Sequence, residues 1–333
     1  MSPAEWNRKL AEYARPDIRR SLVQLVVTLS LLGAASTAAF FLYAEWGVFA
    51  SLPMSIFMGL LLVRVFIIQH DCGHRSFLPS RKACDRLGQA LSVLTLTPFE
   101  FWRRDHDQHH AGAGNLERRG IGDIDTLTVA EFRALSPLRK VAYRAYRNPV
   151  VLFGIGPSWQ FLIRYRFPLG LQGSKAKDDL RSVLLCNAAV AAVLCGAGWL
   201  LGFWAVASVW VPAVAVAATA GVWLFYVQHQ FEDTYWRRQK EWSFVDAALK
   251  GCSLYNLPGW MHWMSGWIGF HHVHHLSSRI PNYNLKRAHE SIPELQSAPM
   301  LGLMESLRCV RLALWCEARG KMVSFREAAL SPA

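Results

Sequence analysis

Two pairs of long apolar runs constrain this chain more than any other feature. The first pair runs from Ser21 to about Ala44 and from about Val48 to Ile68, broken only by Glu45-Trp46-Gly47; the second runs from Val183 to Phe203 and from Val206 to Val227. About 20 consecutive apolar residues span the hydrocarbon of a bilayer, so each run reads as a transmembrane helix and each close pair as a helical hairpin. The single charge within the second run, Arg64, lies about one turn from its end, close enough to snorkel to the headgroups. Composition agrees: 52% of residues are hydrophobic and only 18% charged, where soluble domains carry about 25%.

Charge distribution orients the spans. The short connections around Glu45 and Trp204 contain no Lys or Arg, whereas the N-terminus, residues 71–181 and the region after Arg237 are rich in both, so both termini and the long middle segment are expected to be cytoplasmic. A cell inner membrane is the expected location. The net charge of +12 is then the basic face of a membrane protein, and no nucleic-acid partner is expected. Residues 1–20 are polar and basic, and the apolar run that follows is too long for a cleavable signal peptide.

The expected architecture is all-α: four transmembrane helices in two hairpins, with a cytoplasmic helical cap. It forms one domain over 1–333, with a cytoplasmic N-terminus (1–20), hairpin one (21–69), a middle segment (70–181), hairpin two (182–229) and a C-terminal segment (230–333). Leu87 to Trp102 and Pro149 to Ile163 are apolar but proline-broken and fit interfacial helices, as does the Trp-rich run Trp260 to Phe270. The 7 cysteines show no CxxC spacing and read as reduced thiols, and no GxGxxG follows a strand-like run, so redox chemistry here needs outside electrons.

The 12 histidines cluster. Box one is His70-Asp71-Cys72-Gly73-His74, box two His106-Asp107-Gln108-His109-His110 and box three His271-His272-Val273-His274-His275. At this histidine density HxxxH arises about 0.4 times by chance but HxxHH only about 0.015 times, so two HxxHH boxes on one membrane face carry the weight. His70 and His74 lie one helical turn apart and can reach one metal, and the i, i+3, i+4 pattern is expected to put three imidazoles of each later box on one stripe. Eight such ligands suit two ions, and His229 at the end of the fourth span is a ninth candidate. His262, His272 and His289 read as ordinary polar side chains, while Asp71, Asp105 and Asp107 stand where carboxylates could accept the free ring N–H of a ligand. Arg118, Arg119 and Arg279 read as headgroup contacts.

With these boxes on two hairpins the sequence resembles the membrane-bound fatty acid desaturases. Box one is similar to that of the acyl-lipid, Δ12-like bacterial branch. The flanking Arg118-Arg119-Gly120-Ile121-Gly122-Asp123, Tyr146-Arg147-Asn148-Pro149, Tyr226-Val227-Gln228-His229-Gln230-Phe231-Glu232 and His274-His275-Leu276-Ser277-Ser278-Arg279-Ile280-Pro281-Asn282-Tyr283 agree, over roughly Ile68 to His289. The resemblance implies a non-haem diiron centre ligated by His70, His74, His106, His109, His110, His229, His271, His274 and His275, with O2 as co-substrate and two electrons from ferredoxin or a cytochrome b5-like donor. It implies removal of two hydrogens from adjacent methylenes of a membrane-lipid acyl chain, leaving a cis double bond. Two departures bear on outcome: Trp267 stands where the resemblance implies an Asn, with Gln228 an alternative polar partner, and Ala111-Gly112-Ala113-Gly114 lacks hydroxyl residues. A hydroxylase or ketolase begins with the same hydrogen abstraction. A membrane metal transporter or sensor, which would place its ligands near the midplane, and a b-type haem carrier, which needs few of these histidines, are readings from other classes.

Overall fold

The computed structural model describes residues 1–169 and 175–330. Four of its helices are long and apolar enough to cross a membrane: Ile18–Trp46, Val48–Gly73, Ala176–Leu201 and Phe203–His229. The Asp17 carboxylate starts the first by accepting from the N–H groups of Arg19 and Arg20 (2.9 and 3.1 Å). One glycine separates the helices of each pair. Gly47 and Gly202 stand at φ +81° and +89°, a region that side chains with a Cβ avoid, so the second break falls at Gly202 rather than near Trp204. Both pairs overrun their apolar runs. The second helix carries on through His70 to Gly73, and the fourth ends on His229.

The second helix is the most buried of the four. Met58, Leu61, Leu62, Val65 and Ile68 pack with Leu32, Ala35 and Ala39 of the first helix and with Val209, Ala213 and Val214 of the fourth. The outward sides stay apolar: Leu22, Val26 and Phe41 on the first helix and Leu184, Leu185, Trp199 and Leu200 on the third are exposed. Apolar surface of this extent is stable against lipid rather than water. Gly59 allows a close approach of the second and fourth helices, because a Cβ there would stand 2.7 Å from the Ala213 carbonyl oxygen and from Val216. Gly59→Leu is expected to cost about 1–3 kcal/mol through overpacking. Thermal unfolding in detergent checks this, and an unshifted midpoint would mean that the helices do not meet at Gly59.

Two expectations are refined and one is corrected. The run Leu87 to Trp102 is two helices, Arg81–Thr95 and Phe99–Gly112, because Leu96 turns left-handed (φ +55°) and Pro98 caps the second. The chain is mostly helical rather than all-α. Leu127–Thr128 pairs in parallel with Leu314–Cys316, which pairs antiparallel with Lys321–Val323, and Leu254–Asn256 pairs in parallel with Met300–Gly302. Each strand has two or three residues, too few to show a period of two in the sequence. The Trp-rich run folds as a short helix, Gly259–Met264, followed by a turn with Gly266 and Trp267 both at positive φ.

Candidate metal centre

Four elements bring the box histidines together. His70 lies in the last turn of the second long helix and His74 caps it. Box two ends the helix Phe99–Gly112, His229 ends the fourth long helix, and box three forms most of the short helix His271–Leu276. The nine histidines fall into two groups: His70, His74, His106, His110 and His274 in one, His109, His229, His271 and His275 in the other. Within each group one ring nitrogen from every member lies within 4.8 Å of the rest.

The single-stripe expectation for boxes two and three is thereby corrected. In each box the i and i+4 histidines go to one group and the i+3 histidine to the other, since residues i+3 and i+4 differ by about 100° around a helix axis. Box two gives His106 and His110 to the first group and His109 to the second; box three gives His271 and His275 to the second and His274 to the first. The two helices thus sit between the groups and contribute to both.

The spacing of the nitrogens tests whether the groups suit metal. His74 Nε2 is 3.1 Å from His106 Nε2, which is 3.1 Å from His110 Nε2, which is 3.0 Å from His274 Nε2. A neutral ring nitrogen carries one hydrogen or one lone pair, so these three successive contacts cannot all be hydrogen bonds. Imidazoles about 2.1 Å from a shared ion, at right angles to one another, would stand about 3 Å apart. The second group matches: His271 Nε2 to His229 Nε2 is 2.9 Å, and His109 Nε2 to His275 Nε2 is 3.3 Å. Burial, with the neighbouring imidazoles adding to it, holds His74, His106, His110, His271, His274 and His275 well below the usual histidine range, so their lone pairs are free at neutral pH.

Carboxylates orient two of the rings. Asp71 Oδ1 lies 3.3 Å from His70 Nδ1, while Asp71 Oδ2 accepts from the Asn282 backbone N–H (2.7 Å) and side-chain amide (2.8 Å). Asn282 Oδ1 accepts in turn from Gln24 Nε2 in the first long helix. Asp123 holds His109 Nδ1 in the same way, and Cys252 Sγ lies 3.7 Å from His229 Nδ1. A carboxylate on Nδ1 leaves Nε2 turned to the centre. Asp105 and Asp107, candidates for this role by their place in the sequence, bond none of the box rings among the described residues. Asp123 was missed in this role. Its loop reaches His109 through left-handed Gly120 and Gly122, and a Cβ on Gly122 would meet the Asp105 carbonyl oxygen at 2.7 Å; the sequence shows Asp123 only as the end of a flanking segment, with nothing to pair it with His109.

The remaining histidines lie outside both groups. His272 Nε2 meets His289 Nδ1 at 3.0 Å, and His262 stacks on Trp267 with ring centroids 5.0 Å apart. Trp267 therefore turns its ring to His262, and the Gln228 amide donates to the Ile268 carbonyl oxygen (3.0 Å) rather than to a ring nitrogen.

Four membrane-length helices together with two polyhistidine groups at metal-ligand spacing define a membrane protein with a candidate metal centre. The fatty acid desaturase family model matches residues 44–302, and the chain belongs to that family. It is 39% identical to a fatty acid desaturase of Bacillus subtilis over 320 residues, covering 96% of this chain and 90% of the relative. It is 27% identical to the sn-1 oleoyl-lipid 12-desaturase of Synechocystis, covering 88% and 85%, and 29% identical to a chloroplastic omega-6 fatty acid desaturase of Arabidopsis thaliana, covering 71% and 52%. The chain is an oxidoreductase that desaturates fatty acyl chains, and all three relatives carry desaturase names, which disfavours the hydroxylase, ketolase and transporter readings.

Proposed function

We propose that this protein is an O2-dependent desaturase that places a cis double bond in acyl chains esterified to membrane lipids, with two irons in the paired histidine groups. The observation that carries the reading is the convergence of nine ring nitrogens into two sets at metal-ligand spacing. His70, His74, His106, His110 and His274 hold one iron; His109, His229, His271 and His275 hold the other. When bound, the irons supply the oxidant that an unactivated C–H bond requires, since no side-chain acid or base can break it. Asp71 and Asp123 fix the rings of His70 and His109 so that lone pairs face the centre. The lipid-linked oleoyl substrate in the name of the Synechocystis relative supports an esterified acyl chain.

The long helices form two membrane hairpins of a single domain, at 21–69 and 182–229, in the cell inner membrane. Residues 1–20, 70–181 and 230–333 lie on the cytoplasmic side as a cap over the irons, by the Lys/Arg asymmetry of the loops. Both electrons come from ferredoxin or a cytochrome b5-like donor.

Gas chromatography–mass spectrometry of total fatty acids tests this, comparing cells that express the intact chain with cells that express His274→Ala. The expected result is an additional cis double bond only with the intact chain. A hydroxylated chain in its place, or equal product from both, would sink the proposal.

A further inference from the structure

A cleft of about 510 Å³ opens behind box three, outside both histidine groups. Its walls include Trp267, Phe270, Lys286, His262 and Glu290. Phe270 immediately precedes His271, so the cleft backs onto the metal centre.

Three observations mark it as a built site. Trp267 stands at φ +60°, a conformation that a bulky residue rarely adopts and that structures retain where function uses it. Its indole faces the cleft with His262 stacked on one side (interplanar angle 8°) and Lys286 Nζ 5.2 Å from the ring centroid. His262 is 5% exposed; its Nε2 accepts from the Leu257 N–H (3.2 Å), which puts the ring proton on Nδ1, and buried Nδ1 has no partner. Among the described residues the ion pair to Lys286 is a 3.5 Å contact with Glu290 one turn away, which leaves N–H groups of the ammonium for a ligand.

The depth of the cleft identifies its occupant. The helix Gly259–Met264, which forms one wall, is tied to the second long helix where Arg64 donates to the Trp263 carbonyl oxygen and lies 4.0 Å from its ring. Arg64 is six residues before His70, about 9 Å deeper along that helix. With hairpin one ending at residue 69, as proposed above, this wall lies within about 8 Å of the cytoplasmic membrane surface, and Trp260 of the same short helix is exposed, a side chain suited to that boundary.

Resting on the desaturase reading above, we infer that the cleft binds the phosphodiester headgroup of the glycerophospholipid substrate, with the Lys286 ammonium facing the phosphate. Glu290 beside Lys286 favours a headgroup that also carries hydroxyl or ammonium donors.

The test is native mass spectrometry of the iron-loaded full chain in detergent with palmitoyl-oleoyl phosphatidylglycerol, or with palmitoyl-oleoylglycerol, which lacks the phosphate. Lys286→Glu and Lys286→Gln chains run beside it. The intact chain is expected to retain the phospholipid at least about tenfold better than the diacylglycerol, and Lys286→Glu to lose about tenfold in phospholipid retention with its iron content unchanged. Lys286→Gln falls between them. Turnover should show KM for the phospholipid rising with little change in kcat. Equal retention of the two lipids, or retention unaffected by Lys286→Glu, overturns the assignment. So does a cleft protected from hydrogen exchange by a soluble donor protein while lipid retention is unaffected by the variants. The two readings fail separately: an intact chain that makes no double bond sinks the desaturase reading, whereas active chains indifferent to Lys286→Glu sink only the headgroup site.

Discussion

A His110→Ala chain is expected to lose desaturation to background, a fall of at least about a hundredfold, and to bind less than its full complement of iron. His110 stands at the junction of the two groups: Nε2 lies 3.1 Å from His106 Nε2 and 3.0 Å from His274 Nε2, and the ring stacks on His275 of the other group at 4.1 Å between centroids. Removing it takes a donor from one ion and a wall from its neighbour. The spans do not pass through this residue, so membrane insertion should be unchanged. Iron analysis of purified protein, read beside acyl-chain composition, checks both parts, and full iron with full activity in His110→Ala would remove the site from consideration.

Asp71→Ala is expected to weaken iron retention by about 10–100-fold without removing a ligand, because the carboxylate fixes the tautomer and orientation of His70. The same carboxylate accepts two hydrogen bonds from Asn282, and stranding two buried donors costs about 1–3 kcal/mol each at most. The substitution should therefore also lower the thermal midpoint of the iron-free chain. Asp123→Ala, whose carboxylate has His109 as its side-chain partner, should share the first effect and show less of the second. Chelator competition measures iron retention and thermal unfolding measures stability; identical behaviour of Asp71→Ala and the intact chain in both would mean that the carboxylate positions nothing.

The parts of the molecule legible in the sequence are those with a repeated physical signal. A span declares itself over some twenty residues, and each of the four long helices overlaps most of its apolar run, with ends up to seven residues away; the boxes declare themselves by a spacing that chance rarely produces. The assignment of each histidine to its group was not read, because HxxHH looks like one unit until the angular phase of the helix is followed around its axis. Asp123 lies thirteen residues past box two, and only folding of its glycine-bearing loop brings it to His109. The short strands were invisible for the related reason that their partners are distant: Leu127 pairs with Leu314, and Leu254 with Met300.

The division of both HxxHH boxes between the two groups governs the order in which the protein can mature. Until residue 271 has been synthesised, the first group has His70, His74, His106 and His110 without His274, and the second has only His109 and His229. Neither group is complete until His274 and His275 have been made, although all four long helices precede them in the chain. Closure of the box-three helix against the box-two helix then finishes both groups in one docking event, so metal capture at the proposed centre would be a late checkpoint that a chain terminated before box three cannot pass.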